Sequence, residues 1–215
     1  MAYKSNRSED SRLEKITNEF LDRYFFNKDF EQVDWAEDKE KQLNGIDVTL
    51  SSEKYGLKEA KVDVKSAVKY SNKYLGTYSL ELSFIGRNYD PRIGWFLNDD
   101  LETEYYLLLY PKSEKYYTDI QSVDDIDYID YYLVKKDDIY RFLNSRGYDK
   151  ERLSNVVTEM RAEYAKVGGA RLIFESESEN FHFSLSGALA EKPINIVIKR
   201  QVYDRYALMK GRIER

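Results

Sequence analysis

Four side chains stand at spacings that can do chemistry: Asp47, Asp63, Lys65 and Glu81. Residues two apart in an extended strand share a face, so Asp63 and Lys65 project together, roughly 6–7 Å apart at Cα. Asp47 lies on the polar face of a preceding alternating segment, where Ile46, Val48 and Leu50 form the apolar face. Glu81 holds the same place in a following segment, opposite in parity to Tyr78, Leu80, Leu82 and Phe84. If these three segments are neighbouring strands, the four side chains converge on one patch. Carboxylates so gathered bind hard cations through oxygen, Mg2+ before others. A lysine beside them positions a water or offsets charge developing on a phosphate. That is the equipment of metal-assisted phosphodiester hydrolysis.

Composition narrows the alternatives. The 215 residues contain no cysteine, which excludes disulfides, thiolate nucleophiles and Cys-ligated zinc. A single histidine, His182, argues against His-rich metal centres, and its outward parity with Ser184 and Ser186 marks it as a surface or hairpin residue. Charged residues at 34% and apolar residues at 42% suit one packed domain over 1–215. The polar N-terminus has no secretory h-region, and no apolar run is long enough to cross a membrane, so a cytoplasmic protein with no membrane partner is expected. Net charge is −5, but unevenly spread. Twelve acids crowd residues 99–138, whereas seven basic residues follow from Lys192 onward, Lys199, Arg200 and Arg205 among them. Six lysines also fall between Lys54 and Lys73. Basic stretches beside an acidic block suit a phosphate-binding groove with a repulsive rim; ordinary solvated faces would look the same.

Periodicity then supplies the elements. A helix is expected over 11–26, where Leu13, Ile16, Phe20 and Tyr24 recur at helical spacing and Ser8, Asp10 or Ser11 can cap the start. Strands are expected at 46–50, 57–65, 77–84, 94–96, 105–110 (ended by Pro111) and 128–134. Helices follow at 136–143 and 150–166, the second broken by Gly168-Gly169. A hairpin at 171–175 and 180–185 and a strand at 194–198 complete a mixed α/β (α+β) pattern with one central sheet.

Asn44-Gly45-Ile46-Asp47 followed by Asp63-Val64-Lys65 resembles the PD-(D/E)XK nuclease superfamily, in a phage- or bacterium-type branch. Further stretches carry the likeness: Gln42, Leu80-Glu81-Leu82-Ser83, Gly94-Trp95-Phe96, Thr103-Glu104-Tyr105-Tyr106 and Glu191-Lys192-Pro193-Ile194-Asn195. The departure is Ile46, where the family name has proline. The resemblance implies a restriction-endonuclease-like central mixed sheet flanked by helices, and a nuclease using Mg2+ (or Mn2+) on DNA in preference to RNA. It makes Asp47 and Asp63 metal ligands together with the Val64 carbonyl, and Lys65 the catalytic lysine. It also implies an acid from the first helix, for which Glu19 is the candidate and Glu14 the reserve, and it admits a homodimer. Lys61, Lys65, Lys199, Arg200 and Arg205 are the expected nucleic-acid contacts. Two competitors stand beside this reading. Glu59-Ala60-Lys61 offers the same acid-x-lysine pattern two positions earlier on the same face. A non-enzymatic protein-binding or DNA-mimicking inhibitor would instead use the acidic, tyrosine-rich surface of 99–138.

Overall fold

Alternation of apolar and polar residues builds two sheets in this chain, and the sequence shows no boundary between them. The computed structural model describes residues 7–215; part of the polar N-terminal stretch, residues 1–6, lies outside the described residues. The chain divides into two compact units. The first comprises the described part of Met1–Leu75 with Thr103–Lys135 and Ala207–Arg215, and the second Gly76–Glu102 with Lys136–Tyr206.

In the first unit, helix α1 (Arg7–Tyr24) leads through α2 (Phe26–Asp29), strand β1 (Gln32–Trp35) and α3 (Lys39–Leu43) to β2 (Val48–Ser52) and β3 (Leu57–Ser66). Strands β6 (Tyr105–Lys112), β7 (Tyr128–Lys135) and β11 (Ala207–Glu214) complete a six-stranded sheet ordered β1-β2-β3-β6-β7-β11. Its one parallel pair is β3 with β6; the other neighbours run antiparallel. Leu13, Ile16 and Phe20 of α1 are buried in one cluster with Val48, Leu50, Ala60, Val62, Leu107 and Leu109. The helical stripe of the sequence thus meets the apolar face of the sheet. Ser8, Asp10 and Ser11, expected as caps, lie inside the helix. Pro111 falls within β6 and does not end it. The polar stretch before Gly45 contains β1 and α3, both too short to leave a periodic signal.

The second unit holds the five-stranded antiparallel sheet β5-β4-β10-β9-β8. Its strands are β4 (Thr77–Ile85), β5 (Pro91–Ile93), β8 (Leu172–Glu175), β9 (Phe181–Leu185) and β10 (Ile194–Lys199), with helices α4 (Lys136–Asn144), α5 (Lys150–Val167) and α6 (Arg200–Tyr206). Edge-to-face contacts of Phe142 and Tyr148 with Phe181 join its helical part to β9. Gly94-Trp95-Phe96, expected as a strand, is a turn folded back on β4, with the Phe96 N–H on the Glu81 carbonyl at 3.0 Å.

The fold is therefore mixed α/β with two sheets, and no helix among the described residues is long and apolar enough to cross a membrane. The single central sheet expected is two, and the expected neighbour of β3 is corrected as well. The strand carrying Glu81 is not the neighbour of β3; β4 pairs with β5 and β10 in the other sheet, and β6 takes the place beside β3. Tyr105 to Tyr110 is apolar nearly throughout and buried on both faces, whereas β4 alternates and keeps one more exposed face near its start.

Candidate active site

Asp47 is positioned by three local devices. Gly45, at φ 76°, turns the chain out of α3 in a conformation that glycine adopts without strain. The buried Thr103 hydroxyl donates to the Gly45 carbonyl at 2.7 Å, pinning that turn. The Asp47 N–H then donates to the Val62 carbonyl at 2.9 Å, and its carbonyl accepts from Ala36 at 2.8 Å. Asn44-Gly45-Ile46-Asp47 and the distant Thr103 are thus one structural unit.

Register does the rest. Val48 pairs with Val62 and Thr49 with Lys61, so Asp47, the residue just before β2, comes to the end of this ladder beside β3. The two carboxyl groups share a hydrogen bond. One Asp47 oxygen also accepts the Val64 N–H at 2.8 Å, and Lys65 Nζ lies 2.6 Å from an Asp63 oxygen. Asp47, Asp63 and Lys65 therefore meet at one place.

The same register ranks the competing motif. Leu57 is buried although strict alternation from Ala60 and Val62 would put it on the polar face. A bulge makes the correction: pairing shifts between Leu50 and Ser52, and Glu59 takes φ 47°. Glu59 is exposed, with its N–H on the Ser51 hydroxyl, so a serine and not an acid stands across from it. Lys61 is half-buried, and its N–H donates to Glu104.

Asp63 is 2% exposed. Burial, the largest influence, raises its pKa from 3.8 to about 7; neighbouring Asp47 adds to the rise and Lys65 opposes it. A buried carboxyl beside a second carboxyl favours a proton or a cation, and Lys65 already supplies one positive charge. Among the described residues, no three Asp, Glu or His side chains are grouped to hold a metal. Two carboxylates, with a main-chain carbonyl in the same strand, are a hard-oxygen set. They suit Mg2+, which keeps waters and takes only one or two carboxylates, better than Ca2+ with its six to eight oxygens.

Two adjoining hollows open beside Asp47, of about 290 and 430 Å³. Glu14, Asn18 and Asp47 line both. Lys65, Ser66, Lys69 and Tyr70 line the larger, and Glu19 and Gln42 the smaller. Glu19, the expected helix acid, forms an ion pair with Arg23 one turn on, and the reserve, Glu14, is common to both hollows. Asn18 went unnoticed in the sequence, although it stands one helical turn after Glu14 on the same face.

The remaining candidates fall elsewhere. Glu81 lies half-buried on β4 in the second unit, opposite Asn195. Lys61 belongs to the first unit, whereas Lys199, Arg200 and Arg205 lie in β10 and α6 of the second. His182 is half-buried in β9 with Nε2 enclosed and unpartnered, and Ser184, of the same parity, is buried. His182 thus stands in the β8–β9 hairpin, across from Glu175, and lines a hollow with Glu175 and Lys199. Part of the acidic block is matched by cations. Lys115 meets Asp125 at 2.6 Å, Arg212 meets Asp130 at 2.8 Å, and Arg141 and Lys150 pair with Asp138 and Asp99. Comparison with family models, curated proteins and solved structures finds no match to this chain.

Proposed function

We propose that this chain is a Mg2+-dependent nuclease of the PD-(D/E)XK type, with a restriction-endonuclease-like arrangement of β2, β3 and β6 and with DNA as the preferred substrate. The observation that carries the reading is the cross-strand meeting of Asp47 and Asp63 with Lys65 two residues on. A polar face kept only for solubility has no need to hold a carboxyl 2% exposed.

Asp47, Asp63 and the Val64 carbonyl would hold the cation. When bound, the ion lowers the pKa of a water and draws charge from a phosphoryl oxygen. The protein's own groups do the rest. The Val64 N–H fixes one Asp47 oxygen, so that carboxylate is oriented before any ligand arrives. Asp63 would act as a ligand in its carboxylate form, its proton going to solvent. Lys65, 30% exposed and 2.6 Å from Asp63, would position the attacking water and offset charge on the phosphate. No covalent intermediate is required.

The test is cleavage of DNA with Mg2+ or Mn2+ by purified variants. Asp63→Asn and Lys65→Ala should each cost at least about 10²–10³-fold in rate, as loss of a transition-state contact does. Glu59→Gln should cut normally. Inactive Glu59→Gln with active Asp63→Asn would move the site two residues upstream. Absence of both cleavage and a thermal shift with Mg2+ would favour the non-enzymatic, acidic binder instead.

A further inference from the structure

The chain leaving the catalytic strand carries a feature that hydrolysis does not use. β3 ends at Ser66, and a 3-10 turn, Val68–Tyr70, follows. The turn is anchored inward: Val68 and Ser71 are buried, the Ala67 N–H donates to Leu109, and Ser113 donates to the Ser71 carbonyl. The residues between and after these anchors are forced outward as two Lys-Tyr pairs, Lys69-Tyr70 and Lys73-Tyr74. Tyr70 is 54% exposed and Tyr74 84%. Lys69 and Tyr70 line the larger hollow together with Asp47 and Lys65. A solitary exposed tyrosine needs no explanation. Here two exposed rings follow in succession, each preceded by an exposed lysine, and the first Lys-Tyr pair borders the carboxylate–lysine cleft.

We infer that residues 69–74 bind single-stranded nucleic acid, with bases stacked on Tyr70 and Tyr74 and phosphates met by Lys69 and Lys73, leading the strand into the cleft at Asp47. Every base offers a π-face to an exposed ring, but only when it is unpaired; in a duplex those faces are already stacked on neighbours. Two lysines in a chain of net charge −5 supply little of the dense positive field that a duplex needs, so stacking must provide much of the affinity. The occupant is therefore a single strand, or the frayed end of a duplex. The inference rests on the nuclease reading for its direction but not for its measurement.

Binding is measured on the full chain by fluorescence anisotropy, with a labelled mixed-sequence 12-mer and its blunt duplex, in Ca2+ at low salt. The single strand should bind at least about tenfold more tightly than the duplex. Tyr70→Ala/Tyr74→Ala should lose about tenfold or more, and Tyr70→Phe/Tyr74→Phe should keep the affinity because the rings remain. Lys69→Ala/Lys73→Ala should flatten the dependence of log K on log salt by about 1.4, at about 0.7 per single-strand phosphate. The rings are solvent-facing, so the variants should melt with the parent. Tighter binding of the duplex, or an alanine variant that binds like the parent, overturns the inference. Hydrolysis of a simple aryl phosphodiester with Mn2+ separates the two readings. Turnover without strand binding removes the single-strand site alone, and strand binding that needs the rings but brings no turnover removes the nuclease alone.

Discussion

At the residue scale the decisive group is Asp63. A carboxyl whose pKa is raised in the folded chain, here from 3.8 to about 7, binds its proton more tightly when folded than when unfolded. Its contribution to stability is complete below the ordinary carboxylate pKa and is lost as pH rises through about 7. Between pH 5 and 7 the unfolded chain has already released this proton while the native chain retains it. Each pH unit then costs about 1.4 kcal/mol, or on the order of 2 kcal/mol across the window. Asp63→Asn keeps the shape and the hydrogen bonding of a neutral acid but has no proton to lose. Its melting temperature should exceed the parent's by more at pH 8 than at pH 5, the gap widening by roughly 2–4 °C per kcal/mol for a chain of this length. Thermal denaturation of both proteins at the two pH values decides it. Equal pH dependence in parent and variant would mean that Asp63 ionises normally.

At the element scale, close approach of backbones explains several of the stretches singled out in the sequence. Gly94 turns the chain back along β4, with its N–H on the Leu82 carbonyl at 2.8 Å. A Cβ there would stand 2.4 Å from the Glu81 carbonyl oxygen and 2.7 Å from the Leu82 carbonyl carbon. Neither obstacle is a side chain that can swing away. Glu191 and Lys192 press on the same strand end, through Ile85 and through Arg161, which bridges the Lys192 carbonyl and the Ser83 hydroxyl. Gly94→Ala should therefore destabilise the second unit by about 2–4 kcal/mol, in the upper range for single substitutions. Chemical denaturation should show the loss. Hydrogen exchange should place the lost protection in β4 and β10. A variant as stable as the parent would show that the turn relaxes without breaking those contacts.

At the scale of the whole molecule, the first unit is assembled from three separated stretches of chain, the last of them β11. Met209 and Ile213 of this edge strand are buried in the same cluster as Leu13 and Val62, and its Arg212 meets Asp130 on β7. Each fully buried side chain of this size contributes about 1.5–3 kcal/mol. Deleting 207–215 should remove a large part of the stability of the first unit, and β7 becomes an unprotected edge. Loss of the cooperative melting transition, or of soluble protein, is the expected result. A truncated chain that melts like the parent would show β11 to be an accessory strand. The same strand accounts for the uneven charge: basic residues late in the chain lie against acids of the middle block, so that block is less of a free anionic surface than its composition suggests.

The sequence by itself determined the elements with a period to display and the identity of the acids and the lysine. Alternation at 77–84, the β-favouring run at 128–134 and the helix expected over 150–166 became β4, β7 and α5 with small changes at the ends. Such periodicity is a local property, because each residue's face follows from its own backbone. Asp63 and Lys65 share a face for that reason alone. Tertiary structure decided which strands are neighbours. It set β6 beside β3, sent β4 with Glu81 to another sheet, and brought Glu14 and Asn18 of α1 over the cleft. It also placed the bulge at Glu59 that leaves Glu59 outside and brought Asp47 beside Asp63. These choices depend on hydrogen bonds and packing between segments far apart in the chain. Closing a longer loop costs little more than closing a shorter one, so proximity in sequence gives no reason to prefer β4 over β6.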